Sequence, residues 1–204
     1  MPSPSAVEVT ERTLAPGLLL AMPHLADPNF HRAVVLMVEH DDDGSFGLII
    51  NRPSTMSVSS LLVALNMSWR GDDGAVVWTG GPVMPTTGWV LHEPSMRVGP
   101  GAASLKVGLE TDGTVSFAPG LDLSTSPDKL RLIAEEPPGR TRFLLGYSGW
   151  GPGQLADEMA RGSWLHADPD PALIFETPAD VLWESALRSL GVSPESIVQG
   201  SGIH

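Results

Sequence analysis

Apolar residues recur along this chain as unbroken blocks, in alternation and at helical spacing, and each rhythm predicts a different element. AVVLMVEH (33–40) is a continuous block rich in β-branched side chains and reads as a buried strand. DDDG (41–44) is a turn and SFGLIIN (45–51) a second strand, which together predict a hairpin ended by Asn51-Arg52-Pro53. AVVWTGGP (75–82) reads as a strand running into a double-glycine turn, and GWVLHE (88–93), TRFLLGY (141–147) and ALIFE (172–176) as further strands. Residues 104–120 alternate around Asp112-Gly113, a strong hairpin signal.

Helical spacing appears at Val58, Leu61, Leu62 and Leu65 behind a serine cap, which predicts a helix over 57–66. Ser126-Pro127 opens a helix, PDKLRLIAEE, that Pro137-Pro138 closes; proline suits a first helical position because its missing N–H has no partner there anyway. Residues 152–162 place Leu155 and Met159 one turn apart, and 178–191 form a helix that Gly191 stops. Hairpins with interspersed helices, no repeat and no linker predict one α+β domain. It is a compact, mostly antiparallel or mixed sheet with flanking helices, spanning 14–191, with a loose arm at 1–13 and a tail at 192–204.

Charge narrows the partners. Twelve basic residues against 24 acidic ones leave a net −12, a surface that repels the phosphates of nucleic acids and anionic membranes. No partner class is legible beyond that, and neither is an oligomeric state. Cysteine is absent, which excludes disulfides and thiolate chemistry and suits a reducing compartment. No apolar run approaches the ~20 residues of a spanning helix. Glu8 and Glu11 stand where an export signal carries positive charge, so the expected location is the cytoplasm.

The strongest chemical suggestion is the glycine-rich stretch GYSGWGPGQL (146–155), which resembles a phosphate cradle. It has no lysine after its last glycine, Pro152 removes an amide, and Tyr147 and Trp150 crowd the turn. A tight strand-to-helix turn explains it better, with Gly149, Gly151 and Gly153 relieving crowding around Trp150 and at least one taking a positive φ. Gln154, in the first helical turn, is placed to bond back to the loop. Glu39, Asp41, Asp43 and Gly44 imitate half a calcium loop, but Ile50 stands where the bidentate glutamate is required. His24, Asp27 and His31 share no regular face, so neither metal nor other cofactor is expected. No G-x-S-x-G elbow occurs.

Three segments together carry a family likeness: LAPGLLLAMPHLADPNFHRAVVLMVEHDDDGSFGLIINRP (14–53), TGGPVMPTTGWVLH (79–92) and LGYSGWGPGQLADEMARGSWL (145–165). In order and over almost the whole chain, they resemble the bacterial YqgE/AlgH family. Among the matching residues are Asp27, Arg32, Glu39, His40, Asn51, Gly80, Gly81, His92, Trp150, Gln154, Glu158 and Trp164. Val38 stands where relatives often carry cysteine, and Ala33 and Ala156 replace a usual serine and glutamate. The resemblance implies a compact α+β fold and no established activity. Its regulatory label reflects a genetic effect on a polysaccharide pathway, and direct DNA contact conflicts with the acidic charge.

Two functions follow as expectations. The first is a non-catalytic module binding a protein or small ligand, with Asp27, Arg32, Asn51, Gly80, Gly81, Trp150 and Gln154 as candidate contacts and exposed tryptophans as anchors. The second is a small-molecule hydrolase using Glu39, His40 and His92, residues at predicted strand ends, as acid–base groups. A pocket shared by His40, His92, Asn51 and Gln154 favours the enzyme; their scatter favours the module.

Overall fold

The computed structural model describes residues 14–94 and 113–200. β1 (Gly17–Ala21) and β2 (Val34–Asp41) are apolar at nearly every position because both faces of the sheet are covered. Leu18, Leu20, Val34, Leu36 and Val38 enter one core, while Leu19, Ala21, Val35 and Met37 enter another on the opposite face. The period of two is intact, but both of its registers are apolar. Sequence shows in 14–22 only an apolar stretch broken at Pro16-Gly17; β1 begins within the break, at Gly17.

β3 (Gly44–Ile49) returns antiparallel to β2 through the acidic turn, where Asp41 Oδ1 accepts from the amides of Asp43 and Gly44 at 2.9 and 3.1 Å. β4 (Pro53–Ser57) leads into α1 (Val58–Ala64), which Ser57 caps, and the chain returns as β5 (Val76–Thr79). Then come β6 (Val83–His92), β7 (Thr114–Ala118), β8 (Leu121–Ser124), α2 (Pro127–Glu135) and β9 (Thr141–Trp150). The chain continues with α3 (Gln154–Ala160), β10 (Trp164–Ala167), α4 (Pro171–Glu176), α5 (Ala179–Ser189) and α6 (Pro194–Gly200). The sheet order is β10-β1-β2-β3-β9-β6-β8-β7, with β5 also on β9 and β4 on β5. The result is a single compact α+β domain.

β9 is its spine. One edge pairs antiparallel with β6; the other pairs with β3 at Ser148–Trp150 and, in parallel, with β5 at 143–145. The change of partner occurs where Gly80-Gly81 crosses β9: the Gly80 amide donates to the Leu145 carbonyl, and the Ile49 amide donates to the Gly80 carbonyl. A Cβ on Gly81 would lie 2.2 Å from Tyr147 backbone, and one on Gly146 2.4 Å from the Gly81 carbonyl oxygen. Backbone runs against backbone here, and only glycine allows that approach.

Three expectations need correction. ALIFE is helical, as part of α4, because Asp170 Oδ1 caps the Ala172 amide at 2.9 Å and Pro171 supplies the first position. GYSGW is strand, not turn, since β9 runs on to Trp150. The first arm of the Asp112-Gly113 hairpin lies outside the described residues, and β7 pairs with β8 across Pro119-Gly120. Gly151 and Gly153 do not relieve crowding, since a Cβ on either meets nothing within 4 Å; Gly153 instead takes φ +72° as the cap of α3. The chain past Gly191 continues into α6, whose Ile197 packs on the main core. Among the described residues, no helix is long and apolar enough to cross a membrane.

Candidate functional site

Between β1 and β2 the chain loops out over residues 22–33. Asp27 accepts from the Asn29 amide at 2.9 Å and caps one turn of 3₁₀ helix, Pro28–Phe30. To re-enter the sheet the loop bends at Arg32, a non-glycine residue at φ 51°. Such a conformation persists only where its surroundings hold it. Buried Asn51 supplies that hold: its Nδ2 donates to the Arg32 carbonyl at 2.9 Å and its Oδ1 accepts from the Val34 amide at 3.0 Å. The Arg32 guanidinium lies 5.2 Å from the ring centroid of Trp183 on α5, and Trp183 is anchored by Nε1 donating to the Ala21 carbonyl at 2.9 Å.

A hollow of about 360 Å³ opens there, walled by Arg32, Asn51, Arg52, Trp183 and the α5 carboxylates Asp180 and Glu184. A second, of about 310 Å³, shares Arg52 and Pro53 with it and reaches Asn29, Gly81 and Pro82. The two therefore adjoin as one groove between the 27–32 loop, the Asn51-Arg52-Pro53 turn and α5. Arg52 stands at their junction, donating to the carbonyls of His31 and Asn51; burial lowers its pKa. One aromatic ring, Trp183, lines the first hollow and its walls carry both signs of charge, which suits recognition of a polar segment through its carbonyl or carboxylate oxygens.

The groove gathers Arg32, Asn51 and Gly81 among the sequence candidates, with Asp27 flanking it and Gly80 directly behind Gly81. Trp150 and Gln154 belong elsewhere. Trp150 is only 5% exposed and packs against Phe30 and Trp164, so it is no exposed anchor. Glu158 Oε2 accepts from both indoles, Trp150 Nε1 at 3.0 Å and Trp164 Nε1 at 2.8 Å. Gln154 Nε2 donates to Glu158 Oε1 at 2.9 Å, and Gln154 Oε1 accepts from the Gly151 amide at 3.2 Å.

The acid–base candidates separate. His40 bonds Ser45 at 2.7 Å, and Ser45 pairs with Trp150 at the C-terminal end of β9; Glu39, opposite Phe46, shares that end. His92 pairs with Thr141 at the other end. A strand of 10 residues lies between them, roughly 30 Å at about 3.3 Å per residue. His92 is 1% exposed, its Nδ1–H donating to the Glu93 carbonyl at 2.7 Å and its Nε2 accepting from Ser124 Oγ at 2.8 Å. Desolvation lowers its pKa against the opposing pull of the Glu93 carbonyl. Among the described residues, no three His, Asp or Glu side chains converge as a metal site would require.

Sequence reading passed over Arg52 and Trp183. Trp183 sits on the apolar stripe of α5, where it is indistinguishable from core. Arg52, between Asn51 and Pro53, carried a signal only as part of a turn.

Known proteins share this architecture. The chain is 41% identical over 194 residues to a UPF0301 protein from Myxococcus xanthus (strain DK1622), covering 95% of this chain and 99% of that one. It is 40% identical over 190 residues to a UPF0301 protein from Burkholderia cenocepacia (strain HI2424), covering 91% and 92%. The solution structure of the AlgH protein from Pseudomonas aeruginosa matches over 100% of both chains with a TM-score of 0.69 at 33% identity. A crystal structure from Corynebacterium diphtheriae, at 21% identity, TM-score 0.65 and 92% and 91% coverage, shares the fold. The AlgH-like family profile matches residues 18–195, and this chain belongs to that family.

Proposed function

We propose that this chain is a non-catalytic binding module of the cytoplasm, and that its recognition site is the groove around Arg32 and Arg52. The observation that carries the reading is the left-handed Arg32, fixed by the two hydrogen bonds of Asn51 and stacked over Trp183. Asn51 fixes the backbone at Arg32, and the Trp183 ring gives its guanidinium a face to rest on. The fit is to a short polar segment, of a protein or of a small ligand, that offers oxygens to Arg32 and Arg52. The distance between His40 and His92 supports binding over acid–base chemistry.

A metabolite and peptide screen by thermal shift tests this, with each hit measured again on Arg32→Ala and Arg52→Ala. Groove ligands lose about tenfold or more in affinity on Arg32→Ala, the scale of a charged hydrogen bond. Hits indifferent to both substitutions would place recognition elsewhere, and conversion of a hit into a product would replace the module by an enzyme.

A further inference from the structure

A cleft of about 590 Å³ lies apart from this groove, between the two segments that lead into the parallel pair β5 and β9. Arg142, the second residue of β9, lines it and is only 5% exposed. Its guanidinium lies 4.2 Å from the ring centroid of Trp78 and 6.0 Å from that of Phe175. Nη1 donates to the Ile50 carbonyl at 2.5 Å. No carboxylate among the described residues pairs with it. Burial lowers its pKa to about 10, so it is still a cation at neutral pH. A buried charge without a counter-ion is costly to keep, and a protein of net −12 has acidic side chains enough to pair it.

The rest of the wall is mixed in charge. Arg70 lines the cleft, is exposed, and has no ion-pair partner among the described residues. Arg140 stands beside them but is occupied, paired with Glu93 at 2.6 Å and with Glu176. Asp72, also in the wall, accepts from the Gly74 amide at 3.1 Å and belongs to its own turn. Trp69, Trp78 and Phe175 give the cleft flat apolar sides. Two guanidinium groups without a carboxylate partner, one buried and one exposed, match a doubly charged oxyanion, and a phosphomonoester carries close to two charges at neutral pH. Rings in the wall match a planar body, and the volume suits a molecule of nucleotide size.

We propose that this cleft is a second binding site, for a small molecule that carries a phosphomonoester on a planar ring system, with Arg142 and Arg70 holding the phosphate. Calorimetry on the full chain with adenosine monophosphate, inorganic phosphate and benzoate tests it. Saturable binding is expected in that order of affinity. Arg142→Gln lowers the affinity for adenosine monophosphate by about tenfold or more. Arg70→Gln, an exposed substitution that leaves the core intact, lowers it several-fold, while Arg131→Gln on α2 leaves it unchanged. The proposal is overturned if adenosine monophosphate shows no saturation below about 5 mM. Benzoate binding as tightly, or wild-type affinity in both Arg142→Gln and Arg70→Gln, overturns it equally.

Discussion

Glu158 shows how one side chain settles the meaning of a motif. With two indoles on one carboxylate oxygen and Gln154 on the other, the end of β9, the start of α3 and the start of β10 are tied at one point. The glycine-rich stretch is therefore a structural joint. Trp150→Ala removes a ring packed on Phe30 and Trp164 and is expected to cost roughly 3–5 kcal/mol in urea unfolding. Gln154→Ala, at an exposed position, is expected to cost on the order of 1 kcal/mol. An unchanged midpoint for Trp150→Ala would mean that the ring is not a packing element. His92 belongs at this scale too. Its folded pKa is depressed, so below the ordinary value of 6.5 the unfolded chain takes up a proton that the folded chain refuses. Stability from this residue is full above about pH 7 and declines as pH falls through 6.5 toward the lowered value. Melting curves across that window should show the decline, and His92→Gln should flatten it.

Elements meet most tightly where Gly80-Gly81 crosses β9. Gly81→Ala drives a Cβ into Tyr147 backbone at a φ of +154°, and about 3 kcal/mol of destabilisation is expected, the upper end for overpacking. Gly151→Ala meets nothing within 4 Å at an ordinary φ and is expected to lie within about 0.5 kcal/mol of the parent. Equal melting temperatures for the two variants would contradict the crossing. Before the structure is seen, both are glycines beside apolar strands. What distinguishes them is which backbone passes alongside, and that is set by residues more than 60 positions apart.

At the scale of the whole molecule the net −12 governs encounters. No sequence-specific duplex binding is expected at physiological salt, because phosphate neutralisation dominates such affinity. A mobility-shift assay giving sub-micromolar, sequence-dependent binding would defeat this. The same charge makes the arginine-lined sites local exceptions. At the two proposed sites a ligand would reach Arg32, Arg52, Arg70 and Arg142 by short-range contacts, not by a long-range field, which screening limits to about a Debye length.

The order of most elements was legible from local rules. Ser57 and Ser126 capped the helices they were expected to cap, the acidic turn joined β2 to β3, and Pro137-Pro138 followed the end of α2. These depend on neighbours a few residues away, so their physics is written locally. α4 was misread because four apolar residues in a row fit a strand as well as a short buried helix, and the deciding cap lay outside the run. β1 and β10 were missed because a strand of four or five residues needs partners to exist, and these two pair with each other across more than 140 positions. Composition also determined the charge and the absence of thiol chemistry. The settings of the candidate site residues were decided by tertiary structure alone. Arg32 acquires its setting from Asn51 and Trp183, and Arg142 from Ile50, Trp78 and Phe175. A side chain's burial and counter-charge are properties of chain segments brought together by folding, and no window along the sequence contains them.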